Sequence, residues 1–338
     1  MKNERARQLM EAFRHQRILV VGDLMLDKYI HGAVERISPE APVPVVRVVR
    51  ERQVPGGAAN VAWNVCAFGG QAVIAGVVGN DAPGRDLVSL MAGQGICTDA
   101  VRAVDGIHTT VKMRVLADRQ QVVRVDWDPD PEYPAADVDA FCERVSREIE
   151  SCTGVVIEDY SKGIVRQEVM DAVLAAARKK GIPVGLDPKD NLNLRIKGIT
   201  LATPNYKEAH VCAGLPAKSA PPGNPLKDPS LRRAAEILLK TWEPEQLLVT
   251  LGPNGMYLAS AGVAPRVIPT RAREVYDVSG AGDTVIATCV MSLASGATFD
   301  EAAVLGNNAA GVVVGKLGTA TCSPEELLAS VEANECQA

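Results

Sequence analysis

The stretch Asp277-Val278-Ser279-Gly280-Ala281-Gly282-Asp283-Thr284 sets two small-residue turns and a carboxylate directly ahead of the apolar run Val285-Ile286-Ala287-Thr288-Cys289-Val290-Met291. The run reads as a helix and the glycine-rich turn as its opening. Such a terminus aims unpaired backbone N–H groups and the positive end of the helix dipole at one point, which suits a phosphoryl group in transit. Asp283 lies within reach of that point, so a base stands beside an anion hole. A helix led by an acidic residue is also common without any ligand, and the remainder of the chain decides between the two.

Working outward, this helix is the last of a series that alternates with short β-rich runs. Residues 18–22, 72–79, 155–158, 183–186, 199–203 and 247–250 read as buried strands; residues 57–68, 137–150, 167–180, 231–241 and 282–295 have the length and apolar spacing of helices. That alternation predicts an α/β fold, a three-layer α/β/α sandwich around a mostly parallel sheet, with ligands beyond the carboxyl ends of the strands. Two regions break it: Val45-Val46-Arg47-Val48-Val49-Arg50 and residues 109–125, which alternate in character and predict exposed antiparallel strands. Residues 221–229, rich in proline, read as a flexible loop.

Two further stretches carry chemistry. In Pro55-Gly56-Gly57-Ala58-Ala59-Asn60 the side chains nearly vanish at a loop-to-helix junction, so backbone can touch a ligand and Asn60 offers a polyol both donor and acceptor. The same small residues equally let a helix pack closely on a sheet. The strand Ile18-Leu19-Val20-Val21-Gly22-Asp23 leads through Leu24-Met25-Leu26 to Asp27, a carboxylate just past a buried strand and able to accept two sugar hydroxyls. Asp23 serves equally well as a turn cap.

Composition narrows the classes. A chain of 338 residues with 47% apolar content can bury a large aliphatic core, and a net charge of −5 argues against nucleic-acid and anionic-membrane partners. Leu9, Met10 and Phe13 fall at helical spacing in the basic N-terminal segment, which predicts a surface helix. No stretch approaches the roughly 18 uninterrupted apolar residues of a membrane span, and residues 1–16 lack the apolar centre of a signal peptide, so the cytosol is the expected compartment. The eight cysteines never form Cys-x-x-Cys and the four histidines are scattered, so reduced thiols and no structural zinc are expected.

Taken together, Gly56-Gly57-Ala58-Ala59-Asn60, Asn205-Tyr206-Lys207-Glu208 and Asp277-Val278-Ser279-Gly280-Ala281-Gly282-Asp283 resemble the ordered motifs of the ribokinase (PfkB-type) family of sugar kinases, over about residues 17–328. A narrower resemblance, to the heptose kinase branch, lies in Arg36-Ile37-Ser38-Pro39-Glu40-Ala41-Pro42-Val43-Pro44-Val45, in Glu274-Val275-Tyr276-Asp277 and in Val312-Val313-Val314-Gly315-Lys316-Leu317-Gly318-Thr319. That branch in its bifunctional form joins a D-glycero-D-manno-heptose 7-phosphate kinase to an adenylyltransferase. Only the kinase half fits 338 residues, and no His-x-Gly-His follows residue 318, so the adenylyl step is expected of another protein.

The resemblance implies one ribokinase-like kinase domain over residues 1–338, with lid strands at roughly 28–54 and 107–127, a homodimer through those strands, and ATP and Mg²⁺ as cofactors. The implied reaction is phosphorylation of the anomeric hydroxyl of the heptose 7-phosphate to the 1,7-bisphosphate. Asp283 takes the hydroxyl proton beside the Gly280, Ala281 and Gly282 amides, its pKa depressed by the helix terminus. Asp27, Gly56, Gly57, Asn60 and Lys112 hold the sugar, and Lys162 and Lys189 are the candidate phosphate contacts. Asn205 and Glu208 order Mg²⁺ through water, unless Asn205 simply caps a helix. Thr250, Gly252 and Gly255 form a nucleotide shelf, or a plain hairpin turn, with Asn307 or Asn308 near the adenine. Asp277 assists a monovalent cation such as K⁺. The rivals are another sugar or phosphosugar kinase of this family and a catalytically silent sugar-binding regulator. A dinucleotide fold and a P-loop ATPase both fail for want of their glycine patterns.

Overall fold

The computed structural model describes residues 1–117, 120–128, 135–189, 194–221, 223–270 and 275–335; Pro222, Glu274 and Cys336 lie outside the described residues. The chain opens with α1 (Asn3–Ala12), β1 (Arg17–Gly22), β2 (Leu24–Ile37), β3 (Pro44–Gly57), α2 (Ala58–Ala67), β4 (Gln71–Gly79), α3 (Ala82–Gly93) and β5 (Cys97–Val104). Then follow β6 (Thr110–Ala117), β7 (Gln120–Trp127), α4 (Ala135–Ile149), β8 (Gly154–Glu158), α5 (Gln167–Lys180), β9 (Val184–Asp187), β10 (Leu201–Ala202) and α6 (Tyr206–Cys212). The remainder is α7 (Pro229–Thr241), β11 (Gln246–Thr250), β12 (Met256–Ser260), β13 (Val263–Ile268), α8 (Ala281–Ala294), α9 (Phe299–Val313) and α10 (Pro324–Glu335).

A nine-stranded sheet runs β13-β12-β11-β10-β9-β8-β1-β4-β5. Its strands from β11 to β5 are parallel, and only β12 and β13 at one edge run antiparallel. Parallel strands must be covered on both faces, and β1 shows how the sequence arranges this. Ile18 and Val20 enter one core with α1, α2, α8 and α9; Leu19 and Val21 enter the other with α4, α5 and α7. The two-residue period of a strand therefore divides the apolar content between two layers. All six strands expected from the sequence are present, as are the five expected helices.

Several features differ from expectation. The stripe on α1 is no surface feature: Leu9 and Phe13 are buried, and Phe13 meets Phe68 edge-on at 5.9 Å between ring centroids. The segment expected as a flexible loop holds a short turn of 3₁₀ helix at Pro225–Lys227 and then the start of α7, which Asp228 caps through the Ser230 and Leu231 amides.

The second sheet, ordered β3-β2-β6-β7, is made of the strands expected to form a lid and is called the lid below. Its strands were expected to be antiparallel, but the central pair β2 and β6 is parallel, because β3, α2, β4, α3 and β5 intervene in sequence and return the chain in the same direction. Only β2–β3 and β6–β7 are antiparallel. β2 starts at Leu24 and β3 ends at Gly57, so the lid is rooted deeper than the sequence suggested. Register sets Asp27, Lys112 and Asp126 side by side on one face, with Tyr29, Arg114 and Arg124 in the next row. The opposite face carries Ile30, Val115 and Val123, then Met113 and Val125, then Val111 and Trp127. The first face is charged; the second is apolar along β6 and β7 but carries Lys28, Gln53 and Glu51 in the same rows on β2 and β3.

Candidate active site

The first turn of α8 is built by glycine. Gly280 sits at φ 77°, in the left-handed region, and a Cβ there would come within 2.7 Å of Asn60 Nδ2. Only glycine lets the chain enter the helix here. The Ala281 and Gly282 amides then belong to the helix terminus, where N–H groups lack intrahelical acceptors. Asp283 follows one residue later, 5% exposed. Asn60 Nδ2 donates to its Oδ2 at 2.6 Å and the Tyr160 hydroxyl donates to its Oδ1 at 2.9 Å. Behind it the Thr284 hydroxyl donates to Asn64 Oδ1 at 3.0 Å, fastening α8 to α2.

The electrostatics overturn one expectation. Burial raises the pKa of Asp283 above the ordinary aspartate value, and the hydrogen bonds from Asn60 and Tyr160 pull it back only in part. Desolvation outweighs the helix terminus. A carboxylate whose pKa is raised is a better proton acceptor than the depressed one expected.

Two carboxylates that sequence reasoning missed stand beside it. Glu158 ends β8 and Asp187 ends β9, and a carboxylate oxygen from each of Glu158, Asp187 and Asp283 lies within 4.8 Å of the others. Burial, together with the neighbouring acids, pushes Glu158 and Asp187 well above their usual range. Asp187 accepts the Thr203 hydroxyl at 2.9 Å, whereas Glu158 Oε2 is buried with no hydrogen-bond partner. The signal was present in the sequence, an acid closing each of two adjacent buried strands. It was passed over because strand-end acids are also ordinary turn residues.

On one side of Asp283 opens a cavity of about 600 Å³. Gly280, Ala281, Gly282 and Asp283 form one wall, Lys189, Asn205 and Glu208 another. Thr250, Gly252 and Gly255 line it from the turn between the antiparallel strands β11 and β12, so the hairpin and the shelf are the same object. Asn307 lines it too, donating to the Pro269 carbonyl at 2.7 Å. Asn308 does not: its amide oxygen accepts from Ser330 and Asn334 of α10, which corrects its placement near a nucleotide.

Asn205 and Glu208 form a capping box on α6, Glu208 N donating to Asn205 Oδ1 at 2.9 Å and Asn205 N donating to Glu208 Oε2 at 2.8 Å. The capping alternative for Asn205 is therefore realised. Glu208 Oε1 still reaches Lys189 Nζ at 3.3 Å on the cavity side. Asp277 accepts from the amides of Ser279 at 2.9 Å and Gly318 at 3.1 Å, bracing the turn ahead of the anion hole.

On the other side of Asp283 lies the lid. Asp27, on β2, is bound by Arg114 Nη1 at 2.6 Å, and a Cβ on Gly56 would fall 2.8 Å from Asp27 Oδ2. Gly57, at φ 59°, lets β3 turn into α2. Lys112 Nζ lies 5.8 Å from the Tyr160 ring centroid and Lys189 Nζ 5.1 Å, so this ring stands between the lid and the cavity. Lys162 pairs with Asp128 at 2.9 Å. The loop bearing Tyr160 and Lys162 hangs on Asp23, whose carboxylate accepts from the amides of Tyr160 at 2.8 Å, Lys162 at 3.0 Å and Ile164 at 3.3 Å. Asp23 is thus a turn cap, and burial raises its pKa to about 6.

A glycine-built helix terminus, a buried acid and a two-sided crevice between the large sheet and the smaller one suit phosphoryl transfer, and the class is that of the carbohydrate kinases. The pfkB family carbohydrate kinase model matches residues 15–326, and the chain belongs to that family. It is 44% identical over 317 residues to the bifunctional protein HldE of Aeromonas salmonicida, covering 93% of this chain and 63% of that protein. The chain spans about two thirds or less of the curated relatives it matches. Among solved structures, it superposes on phosphofructokinase-2 from Escherichia coli in complex with potassium with TM-score 0.73 at 21% identity, covering 95% of this chain and 99% of that one. The Arabidopsis thaliana ribokinase complexed with ribose and ATP gives 0.69 at 21% identity, covering 94% and 99%. The fold is ribokinase-like. No helix among the described residues is long and apolar enough to cross a membrane.

Proposed function

We propose that this chain is a kinase unit that transfers the terminal phosphoryl group of ATP to the anomeric hydroxyl of a heptose 7-phosphate, giving the 1,7-bisphosphate. The observation that carries the phosphotransfer is Asp283, buried and held by Asn60 and Tyr160, one residue past the Gly280-Ala281-Gly282 terminus. The heptose assignment rests on the resemblance across residues 36–45 and 312–319 and on the likeness to HldE.

ATP suits the cavity on the Lys189 and Thr250 side, whose lysine and glycine-built wall can meet a triphosphate. The Ala281 and Gly282 amides receive the negative charge that gathers on the moving phosphoryl oxygens. The sugar lies under the lid with its polyol edge on Asp27 and Asn60, and its reacting hydroxyl points at Asp283. Asp283 takes the hydroxyl proton; its raised pKa suits that role at neutral pH.

Magnesium fits the acidic group at the strand ends. Glu158 Oε2 is a buried oxygen with no partner, and Asp187 lies beside it, a hard-oxygen set of the kind Mg²⁺ takes. Glu158 and Asp187 would hold the ion, with Glu208 of the cavity wall reaching it through water. When bound it neutralises charge on the ATP phosphates. A monovalent cation behind the turn braced by Asp277 belongs to the same proposal.

The distribution of cations divides the phosphate contacts. Lys189 faces the cavity with Glu208 and serves ATP; Lys112 on the lid and Lys162 on the loop facing it serve the sugar phosphate. The lid's outer face supports a homodimer, because Val34, Val48, Val123, Val125 and Trp127 are exposed there. Exposed apolar side chains clustered on one sheet face invite pairing.

The test is ATP consumption across a panel of free and phosphorylated heptoses, hexoses and ribose. Turnover of heptose 7-phosphate well above the others is expected. Turnover confined to free ribose or to a hexose phosphate contradicts the heptose assignment and leaves the kinase.

A further inference from the structure

We propose that Asp128 is a resident stand-in for the remote phosphate of the substrate, seated against the Lys162 ammonium group beside Lys112 and displaced when a phosphosugar binds. The inference rests on the phosphosugar reading above and adds a residue and a mechanism of selection to it.

Lys162 Nζ and Asp128 Oδ2 are 2.9 Å apart, with the lysine side chain 21% and the aspartate 37% exposed. The two come from different layers. Lys162 is on the loop fixed to the large sheet by Asp23, its own amide donating to that carboxylate at 3.0 Å. Asp128 is on the lid, one residue past the end of β7. The pair therefore bridges the mouth between the two sheets, where a substrate enters.

Lys112 shares this field. It is half-buried, and its ammonium is disfavoured first by burial, then supported by Asp128 and opposed by Lys162. Asp27 also faces Lys112 across the strand pair, but its charge is already met by Arg114 at 2.6 Å. Asp126, the other cross-strand neighbour, is bound by Arg124 at 2.9 Å. Two cations thus share one free-standing carboxylate. A phosphate monoester carries about −1.5 to −2 charges near neutrality and three acceptor oxygens. It neutralises Lys112 and Lys162 more completely than a single carboxylate does. A sugar with only hydroxyls gains nothing by displacing Asp128. The exchange of one anion for a stronger one favours phosphorylated over free sugars and keeps the lid closed over the lysines until the correct ligand arrives.

The experiment is calorimetric titration of inorganic phosphate into the protein saturated with a non-hydrolysable ATP analogue, comparing the parent, Asp128→Asn, Asp128→Asn with Lys162→Met, and Asp300→Asn as a surface-charge control. Asp300, on α9, pairs with Arg266 on β13, outside the lid sheet. Removal of the competing carboxylate is expected to tighten phosphate binding about threefold, a size typical of a partly exposed ion pair. Adding Lys162→Met is expected to reverse the gain, and Asp300→Asn to do nothing. Unchanged or weaker phosphate binding in Asp128→Asn overturns the proposal. In a second arm, kcat/KM for the phosphosugar rises by a similar factor in Asp128→Asn while that for an unphosphorylated sugar does not. A parent protein that turns over no phosphosugar refutes the heptose reading alone; the phosphate titration still decides the role of Asp128.

Discussion

The large sheet and the lid solve opposite problems with the same residue types. At the strand ends of the large sheet, Glu158, Asp187 and Asp283 are buried together, and burial raises the pKa of all three. On the lid, acids are paired at once: Asp27 with Arg114, Asp126 with Arg124, Asp128 with Lys162. Buried carboxylates gathered with one another, and only weakly offset by a cation such as Lys189, are expensive in a fold and persist where a charge or a proton is to be received. Carboxylates matched to cations on a partly exposed sheet cost little to keep, and here they are proposed to recognise and exchange. In the function proposed above, the crevice carries the chemistry and the lid the choice of substrate.

The largest effect that separates the two regions is expected from Asp283→Asn. It keeps the size of the side chain and removes the base, and should lower kcat roughly a hundredfold or more, measured by ATP consumption with saturating sugar. A modest loss would shift the chemistry from the base to the helix terminus.

Asp23 tests whether buried acids of the large sheet destabilise the fold near neutrality. Its pKa is raised from 3.8 to about 6, so the folded state holds a proton that the unfolded chain releases. The stability this contributes is fully present below pH 3.8 and is lost as pH rises through about 6. That is worth roughly 3 kcal/mol at most. Denaturant melts of the parent and Asp23→Asn from pH 4.5 to 8 should show the parent's advantage shrinking as pH rises. A gap that does not change with pH removes the linkage.

On the lid, Trp127→Glu places a charge on the exposed apolar face and should weaken self-association by roughly tenfold or more, read by sedimentation. A parent protein that is monomeric at high concentration ends the dimer proposal. The smallest effect is expected from Tyr160→Phe. The hydroxyl stabilises the ionised form of Asp283, so its loss should move the acid limb of the pH profile of kcat/KM upward by less than about one unit. Movement in the opposite direction would mean that the hydroxyl does not donate to the carboxylate.

Much of the fold was legible because parallel strands buried on both faces leave continuous apolar runs, such as Ile18 to Val21 and Leu247 to Val249. The glycine-led start of α8 was legible for the same kind of reason, since only glycine meets the geometry at Gly280. What was missed depends on contacts far apart in sequence. Tyr160 and Asp283 are separated by 123 positions, and nothing local to either predicts their hydrogen bond. The parallel pairing of β2 with β6 was hidden for a similar reason, because alternation marks a strand without giving its direction. The pKa of Asp283 was misjudged in sign because a sequence shows the helix terminus and conceals the burial. Asn308 was misplaced because adjacent helical residues face different directions, and only Asn307 points to the cavity.

The most direct test is a crystal structure with a non-hydrolysable ATP analogue and heptose 7-phosphate bound together. The account predicts the anomeric hydroxyl within hydrogen-bond distance of Asp283, the nucleotide's terminal phosphate at the Ala281 and Gly282 amides, and the 7-phosphate on Lys112 and Lys162 with Asp128 moved aside. An anomeric hydroxyl turned away from Asp283, or a nucleotide seated under the lid, would contradict it.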